Sequence, residues 1–440
     1  MVDRRGFLSS LAAMLQPRPS KRPNLLFVVA DTWRGQTMPS AGDPDVIAPN
    51  LARLASEGVD FRRAYTSYPV CCPSRAAMLT GKFPHAAGVP QNHMLLPLTQ
   101  KTMSAELKRS GYRTGYIGKW HLDGRENPGF VPPARRRGFD YWAAYNLAHQ
   151  HYNSVYFRDS PEPIRVGGFE PDYQTDLAIE FIRQKNTQPF FLHLSWVAPH
   201  APLTPPARHA IYDPRKIHLR PNVPERSEAE ARKNAAGYYG LCTAVDENLG
   251  RLLAELDGRG MTEDTIVVFT SDHGHMLGSH GLDEIDLPYE ESSKIPLVIR
   301  FPGRLKPRNE QNAPVSNVDY APTLLSLCGV EPPAGMQGVD LSGWLTRGKG
   351  PPPSSIFAEG KLGSAEEWRM VVRGLDKLVV DSNLSPTHLY DLGQDPYELR
   401  NLATDPSRRR KRDEMLTALR RWMLRTSDRI LYSMPRNAAV

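Results

Sequence analysis

The stretch Cys71-Cys72-Pro73-Ser74-Arg75-Ala76-Ala77-Met78-Leu79-Thr80-Gly81 sets a cysteine just ahead of a Pro-Ser pair, with an arginine one residue on. Proline loses nothing in a first helical turn, where its missing N–H has no partner, and serine is at home there too. The spacing therefore predicts a short apolar helix. Cys71 then lies at the helix N-terminus, where unpaired backbone N–H groups and the dipole favour an anion. Arg75, one turn in, adds a planar positive fork suited to a tetrahedral oxyanion. The bland alternative is a buried cysteine in an ordinary helix start, since free cysteine is among the most buried residue types.

Other residues with chemical potential follow apolar runs. Leu25-Leu26-Phe27-Val28-Val29-Ala30 reads as a strand buried on both faces, as in a parallel sheet. Residues 113–118, 190–196 and 265–270 are further strand candidates, and apolar positions through 238–253 recur with helical spacing. Helices alternating with buried strands predict an α/β fold. Asp31 follows the first strand, Lys119 and His121 the second, His200 the third, and Asp272 and His273 the fourth. In open α/β sheets ligands bind beyond the carboxyl ends of the strands, so these six are expected at one edge.

The domain expectation is a leader at 1–21, a catalytic domain at 22–347, a Pro-rich linker at 348–356, a C-terminal α+β subdomain at 357–426 and a tail at 427–440. Within the subdomain, 369–372 and 377–380 read as strands, and Met415, Leu419, Trp422 and Met423 share one helical face. No internal repeat is evident.

With 440 residues, 40% hydrophobic and 23% charged, the composition is that of a globular chain large enough for two domains. No apolar run reaches the length of a membrane span, so stable membrane insertion is not expected. The net charge of +7 comes largely from clusters such as Arg135-Arg136-Arg137 and 408–412, which read as solvated faces. Without a nucleic-acid-binding fold or interleaved aromatics, nucleic acid is not an expected partner. A positive field still helps to draw in an anionic substrate. Four cysteines make no disulfide scaffold in a chain of this size, and a Cys242–Cys328 bridge is left open. Arg4-Arg5-Gly6-Phe7-Leu8 resembles a twin-arginine export signal, so a periplasmic or secreted protein is expected, with the cytoplasm as alternative.

Taken together, the motifs resemble those of the sulfatases, from Arg22 to about Arg425. The 71–81 stretch is similar to the family's Cys-x-Pro-Ser-Arg signature, in which a formylglycine-generating maturase oxidises the cysteine. Residues 22–27 look like the family's first strand. Tyr116-Ile117-Gly118-Lys119-Trp120-His121 resembles its Gly-Lys-Trp-His motif, Ala198-Pro199-His200-Ala201-Pro202 its Pro-His loop, and Ser271-Asp272-His273-Gly274 its second metal motif. Residues 387–398 resemble its C-terminal domain. The resemblance implies an alkaline-phosphatase-like fold: a mixed, mostly parallel sheet between helices, with a smaller C-terminal α+β domain. It implies hydrolysis of sulfate monoesters by a formylglycine derived from Cys71 and a divalent metal. The metal ligands would be Asp31, Thr32, residue 71, Asp272 and His273. Oxygen donors from Asp31 and Asp272 suit calcium first and magnesium as the alternative. Arg75 and Lys119 would bind substrate and stabilise transition-state charge, His121 would support the nucleophile, and His200 would bind substrate and protonate or orient the leaving oxygen. The implied partners are a sulfated small molecule or carbohydrate and the maturase.

Two positions depart from the family pattern. Thr32 stands where many members have a second aspartate, and Ile285 where many have a lysine. One negative and one positive residue are missing together, which suggests a coupled variation if both face the site. The same departures keep a phosphonate monoester or phosphodiester hydrolase in play, and an inactive relative that binds sulfated glycans is a third reading. His149-Gln150-His151-Tyr152-Asn153 is expected to be an ordinary surface loop, with a sugar or aryl pocket as alternative. Trp33 and Arg34 either reach the site or pack at the start of a helix.

Overall fold

The computed structural model describes residues 22–124, 129–185, 187–283, 285–350 and 352–433. The leader read at 1–21 and the last part of the tail lie outside them. The strands of the main sheet are, in chain order, β1 (Asn24–Ala30), β2 (Val59–Phe61), β3 (Arg113–Lys119), β4 (Tyr141–Tyr145), β5 (Phe190–Trp196), β6 (Thr265–Thr270), β7 (Leu297–Arg300) and β8 (Arg308–Glu310). They lie in the order β8-β2-β7-β6-β1-β5-β3-β4. Only β7 runs against its neighbours, so the sheet is mixed and mostly parallel.

Every residue of β1 is buried, because both faces of the sheet are covered. Leu26, Val28 and Ala30 enter one core and Leu25, Phe27 and Val29 the other. Each fully buried apolar side chain of this size contributes about 1.5–3 kcal/mol. The principal helices are, in chain order, α1 (Pro49–Glu57), α2 (Cys71–Thr80), α3 (Glu170–Arg183), α4 (Glu228–Gly258), α5 (Tyr320–Leu327) and α6 (Arg409–Thr426). The first core is closed by Leu54 of α1, by Leu177 and Phe181 of α3, and by Leu241, Val245 and Leu249 of α4. Cys72, Ala76 and Leu79 of α2 and Leu324 and Leu325 of α5 fill the second core. All ten residues of α2 are buried, because Ala77 on its other side packs into the core of the C-terminal unit.

That unit is an antiparallel sheet of β9 (Ser355–Gly360), β10 (Trp368–Arg373), β11 (Asp376–Val380) and β12 (Pro386–Asp391), in that order. Met415, Leu419, Trp422 and Met423 of α6 pack on it, as their spacing predicts. Two boundaries differ from the sequence reading. β9 begins inside the stretch read as a linker, and 429–433 form a short helix beyond α6. Buried Asp428, placed in the tail, pairs with Arg369 at 2.6 Å. Lys377 ties the two units together, 3.2 Å from Glu290 and 2.7 Å from Glu398.

The arginine triplet 135–137 is not wholly a solvated face. Arg136 is buried, pairs with Asp159 at 2.8 Å and lies over the Trp142 ring. Cys242 and Cys328 are buried and free, so they form no bridge. No helix among the described residues is long and apolar enough to cross a membrane.

Candidate active site

Register brings the sequence candidates together. β1 lies between β5 and β6, with Ala30 opposite Trp196 and Val29 opposite Thr270. On the far side of β5, Gly118 of β3 is opposite Ser195. The parallel strands therefore deliver Asp31, Lys119 and Asp272 to one edge. Two glycines permit the close approach: a Cβ at Gly118 would lie 2.1 Å from the Ser195 carbonyl oxygen, and one at Gly274 would lie 2.0 Å from that of Glu291. They adjoin Lys119 and His273 in the chain.

Cys71 is the first residue of α2, and its Sγ lies 3.1 Å from His273 Nε2, 3.6 Å from Lys119 Nζ and 3.8 Å from Asp31 Oδ1. Lys119 Nζ donates to Asp31 Oδ2 at 2.6 Å. Arg75 Nη2 bridges Asp31 Oδ2 at 3.1 Å and Asp272 Oδ2 at 2.8 Å. Its Nη1 donates to Ser195 Oγ at 2.6 Å and to the Lys119 carbonyl at 2.9 Å, which fixes the guanidinium plane. Ser74 Oγ donates to the Asp272 carbonyl at 2.6 Å and accepts from Asn317 Nδ2 at 2.9 Å. The cluster is shielded from solvent: Asp31, Lys119, Asp272 and His273 are fully buried, and Cys71 nearly so.

Burial pushes the Asp31 carboxyl up, but Lys119, His200 and Arg75 outweigh it and hold Asp31 well below the usual carboxylate range. Burial pushes His273 down, yet Asp272, Cys71 and Asp31 raise it to about 10. The cluster thus draws positive charge to itself. Asp31, Cys71, Asp272 and His273 each bring one ligand atom, all within 4.8 Å of one another. Two carboxylates and an imidazole suit a divalent cation, whose binding would displace the His273 proton.

Thr32 supports both carboxylates. Its hydroxyl donates to Asp31 Oδ1 at 2.7 Å and its N–H to Asp272 Oδ1 at 3.1 Å. It does so at φ +71°, in the left-handed region that is strained for a β-branched residue. Thr32 and Ile285 line the same opening, of about 400 Å³, together with His200, His273, His275 and Asp283. Both departures from the family pattern therefore face one space.

His200 Nδ1 donates to the Ala201 carbonyl at 2.7 Å, and burial lowers its pKa. Its ring stacks on His149, with centroids 4.1 Å apart and planes at 4°. His151 Nε2 meets the His200 carbonyl at 2.7 Å. The segment expected to be an ordinary surface loop therefore backs a candidate site residue. Its signal was the pair of imidazoles, which carry no spacing rule of their own. His121, at φ +58°, meets His93 Nδ1 through Nε2 at 2.8 Å, while its buried Nδ1 has no hydrogen-bond partner. Burial holds its pKa well below the ordinary histidine value. Trp33 and Arg34 point elsewhere: Trp33 packs on Phe269, and Arg34 bonds Thr37 and Tyr239.

The sulfatase family profile matches residues 23–330. An ulvan-active sulfatase of Formosa agariphila is 35% identical over 406 residues, covering 89% of this chain and 79% of that protein. The crystal structure of a putative sulfatase, yidJ, from Bacteroides fragilis superposes with a TM-score of 0.87 at 32% identity, covering 94% of this chain and 98% of the other. A structure in complex with its substrate D-glucosamine-2-N,6-O-disulfate gives a TM-score of 0.83 at 27% identity, covering 93% of this chain and 99% of the other. Sheet order, strand-end cluster and these likenesses agree, and the chain belongs to the sulfatase family of the alkaline-phosphatase superfamily, as a sulfuric ester hydrolase.

Proposed function

We propose that this enzyme hydrolyses a sulfate monoester carried on a carbohydrate, using a formylglycine made from Cys71 by a maturase. The observation that carries the reading is the position of Cys71 Sγ, 3.1 Å from His273, 3.6 Å from Lys119 and 3.8 Å from Asp31 in a buried pocket at the strand ends. The sulfated sugar bound by the glucosamine-disulfate relative supports the substrate class.

A hydrated aldehyde at residue 71 would supply one hydroxyl to displace the alcohol from sulfur and a second to release sulfate as the aldehyde re-forms, with water restoring the hydrate, which avoids hydrolysing a stable sulfo-enzyme. Asp31, Asp272 and His273 would hold a divalent ion, calcium first and magnesium as the alternative, which supplies Lewis acidity to the sulfate oxygens. Thr32 orients the two carboxylates. Lys119 and Arg75 place fixed positive charge beside the reacting atoms in a solvent-shielded site, where such charge acts most strongly. His200 keeps a proton on Nδ1 through the Ala201 carbonyl, which leaves Nε2 to exchange a proton with the leaving oxygen. His121 offers its unpaired Nδ1 inside the same buried region.

Relative kcat/KM on 4-nitrophenyl sulfate, a nitrophenyl phosphodiester and a nitrophenyl phosphonate tests the reading. The sulfate is expected to lead. Thr32 and Ile285 favour the second reading, a phosphonate monoester or phosphodiester hydrolase, because charge at the mouth tunes sulfur against phosphorus. A lead for either phosphorus ester would select that reading. No turnover by protein carrying the aldehyde would select an inactive glycan binder.

A further inference from the structure

A second cavity, of about 440 Å³, lies where the main domain meets the C-terminal sheet, and its walls include Tyr239, Leu375, Leu392 and Tyr397. None of the residues that line it belongs to the Cys71 cluster. Five cations line it (Arg34, Arg62, Arg63, Arg220 and Lys294) against two carboxylates, Asp43 and Glu290.

The two carboxylates offset the five cations only in part. Glu290 is engaged by Lys377 at 3.2 Å and Tyr65 at 3.1 Å, and Lys294 approaches it only to 3.9 Å. Asp43 accepts from Tyr239 and from the N–H groups of Asp45 and Val46. Arg220 has the nearest acid, Glu291 at 2.7 Å. Arg62 reaches Asp60 at 3.6 Å, and its buried Nη1 has no hydrogen-bond partner. Arg63 donates to the carbonyls of Asn312 and Gly374, and Arg34 to Thr37 and Tyr239. Burial pushes Lys294 down, and Glu290 at 3.9 Å, opposed by Arg62, Arg220 and Arg63, does not outweigh it.

We propose that this junction cavity is a second binding site, for a sulfate- or phosphate-type oxyanion borne on a sugar. Clustered cations with unmet charge recognise such a group, and arginine does so with a matching planar fork. The volume lies within the range of small-ligand pockets and exceeds what a lone tetrahedral anion fills. The aromatic walls suit a sugar ring. Binding here does not depend on turnover at residue 71, so the site stands or falls separately from the proposed reaction.

Selenate, a heavier isostere of sulfate, locates the anion. Crystals of the full chain soaked in sodium selenate are expected to show an anomalous selenium peak among Arg62, Arg63 and Lys294. The peak should vanish in Lys294→Met and in Arg62→Gln, two variants whose folding is checked by thermal melting. In the Cys71→Ala protein, calorimetry with a chondroitin 4-sulfate tetrasaccharide, fitted to two sites so that the cavity is separated from any binding beside residue 71, reads the sugar-borne form. Lys294→Met is expected to weaken that binding by about tenfold, the effect of one charge-assisted contact. A selenium peak in the cavity with tetrasaccharide binding unchanged would overturn the sugar-borne ligand in favour of the free anion. No selenium peak in the cavity, or one that survives both substitutions, would overturn the site.

Discussion

Replacing Lys119 with methionine removes one positive charge while keeping most of the buried stem. The ammonium lies 2.6 Å from Asp31 Oδ2 and 3.6 Å from Cys71 Sγ, with no exposure to solvent. At an effective dielectric near 20, a unit charge at such distances is worth about 5–6 kcal/mol. Only the part that grows in the transition state accelerates the reaction, and loss of one preorganised donor costs about 3–4 kcal/mol, or about 100- to 1000-fold in kcat. Folding should suffer less than from a fully orphaned carboxylate, because Arg75 Nη2 stays 3.1 Å from the same Asp31 oxygen. With a repelling cation gone, the affinity for calcium should rise. The assay is initial rates on 4-nitrophenyl sulfate, with residue 71 checked by peptide mass spectrometry in both proteins and calcium affinity taken by chelator competition. A kcat within about threefold of the parent, in folded and equally matured protein, would refute this use of electrostatic preorganisation.

Other substitutions probe the remaining parts. Thr32→Asp should tighten metal binding and tolerate φ +71° better than a β-branched residue, and Ile285→Lys should offset its effect on activity; strictly additive effects of the two would count against a coupled variation. His149→Ala removes the ring stacked on His200. It should lower kcat/KM more for alkyl sulfates than for 4-nitrophenyl sulfate, whose leaving group needs little proton transfer; an equal loss on both would contradict a role through His200. His85 Nδ1 lies 2.6 Å from Glu359 Oε2, and although burial lowers its pKa, Glu359 outweighs burial and raises it above 6.5. A raised folded-state value stabilises fully below 6.5 and is lost as pH climbs through that value. His85→Gln should therefore lower Tm more at about pH 6 than at about pH 9, and an equal shift at both would contradict the linkage.

The sequence was most legible where burial is complete. β1, β5 and β6 are buried on both faces; β1 and β6 read as apolar runs, and β5 is broken only by His193 and Ser195. Lateral order was not legible, because neighbours in the sheet are far apart in the chain: Leu25 lies opposite Phe191 on one side and Ile266 on the other. Short strands such as β2, β7 and β8 carry too few residues for a period to show. The apolar spacing marks only half of α4 and none of α3, because buried Glu170, Gln174 and Thr175 break the stripe of α3 and only alanines mark the buried face at the start of α4. In the site, motif residues with their own turn chemistry stood out. His149 and His93 did not, because they meet His200 and His121 only through tertiary contact. Arg34 follows the first motif in sequence, yet its side chain turns into the junction cavity.

The central claim is that residue 71 acts as an aldehyde hydrate beside the ligands of a divalent ion. Mass spectrometry of the peptide spanning 67–82, from protein made with a maturase and assayed for sulfate release, tests it most directly. The account predicts formylglycine at residue 71 and turnover that rises with its occupancy. Sulfate release by protein whose residue 71 remains a thiol would contradict it.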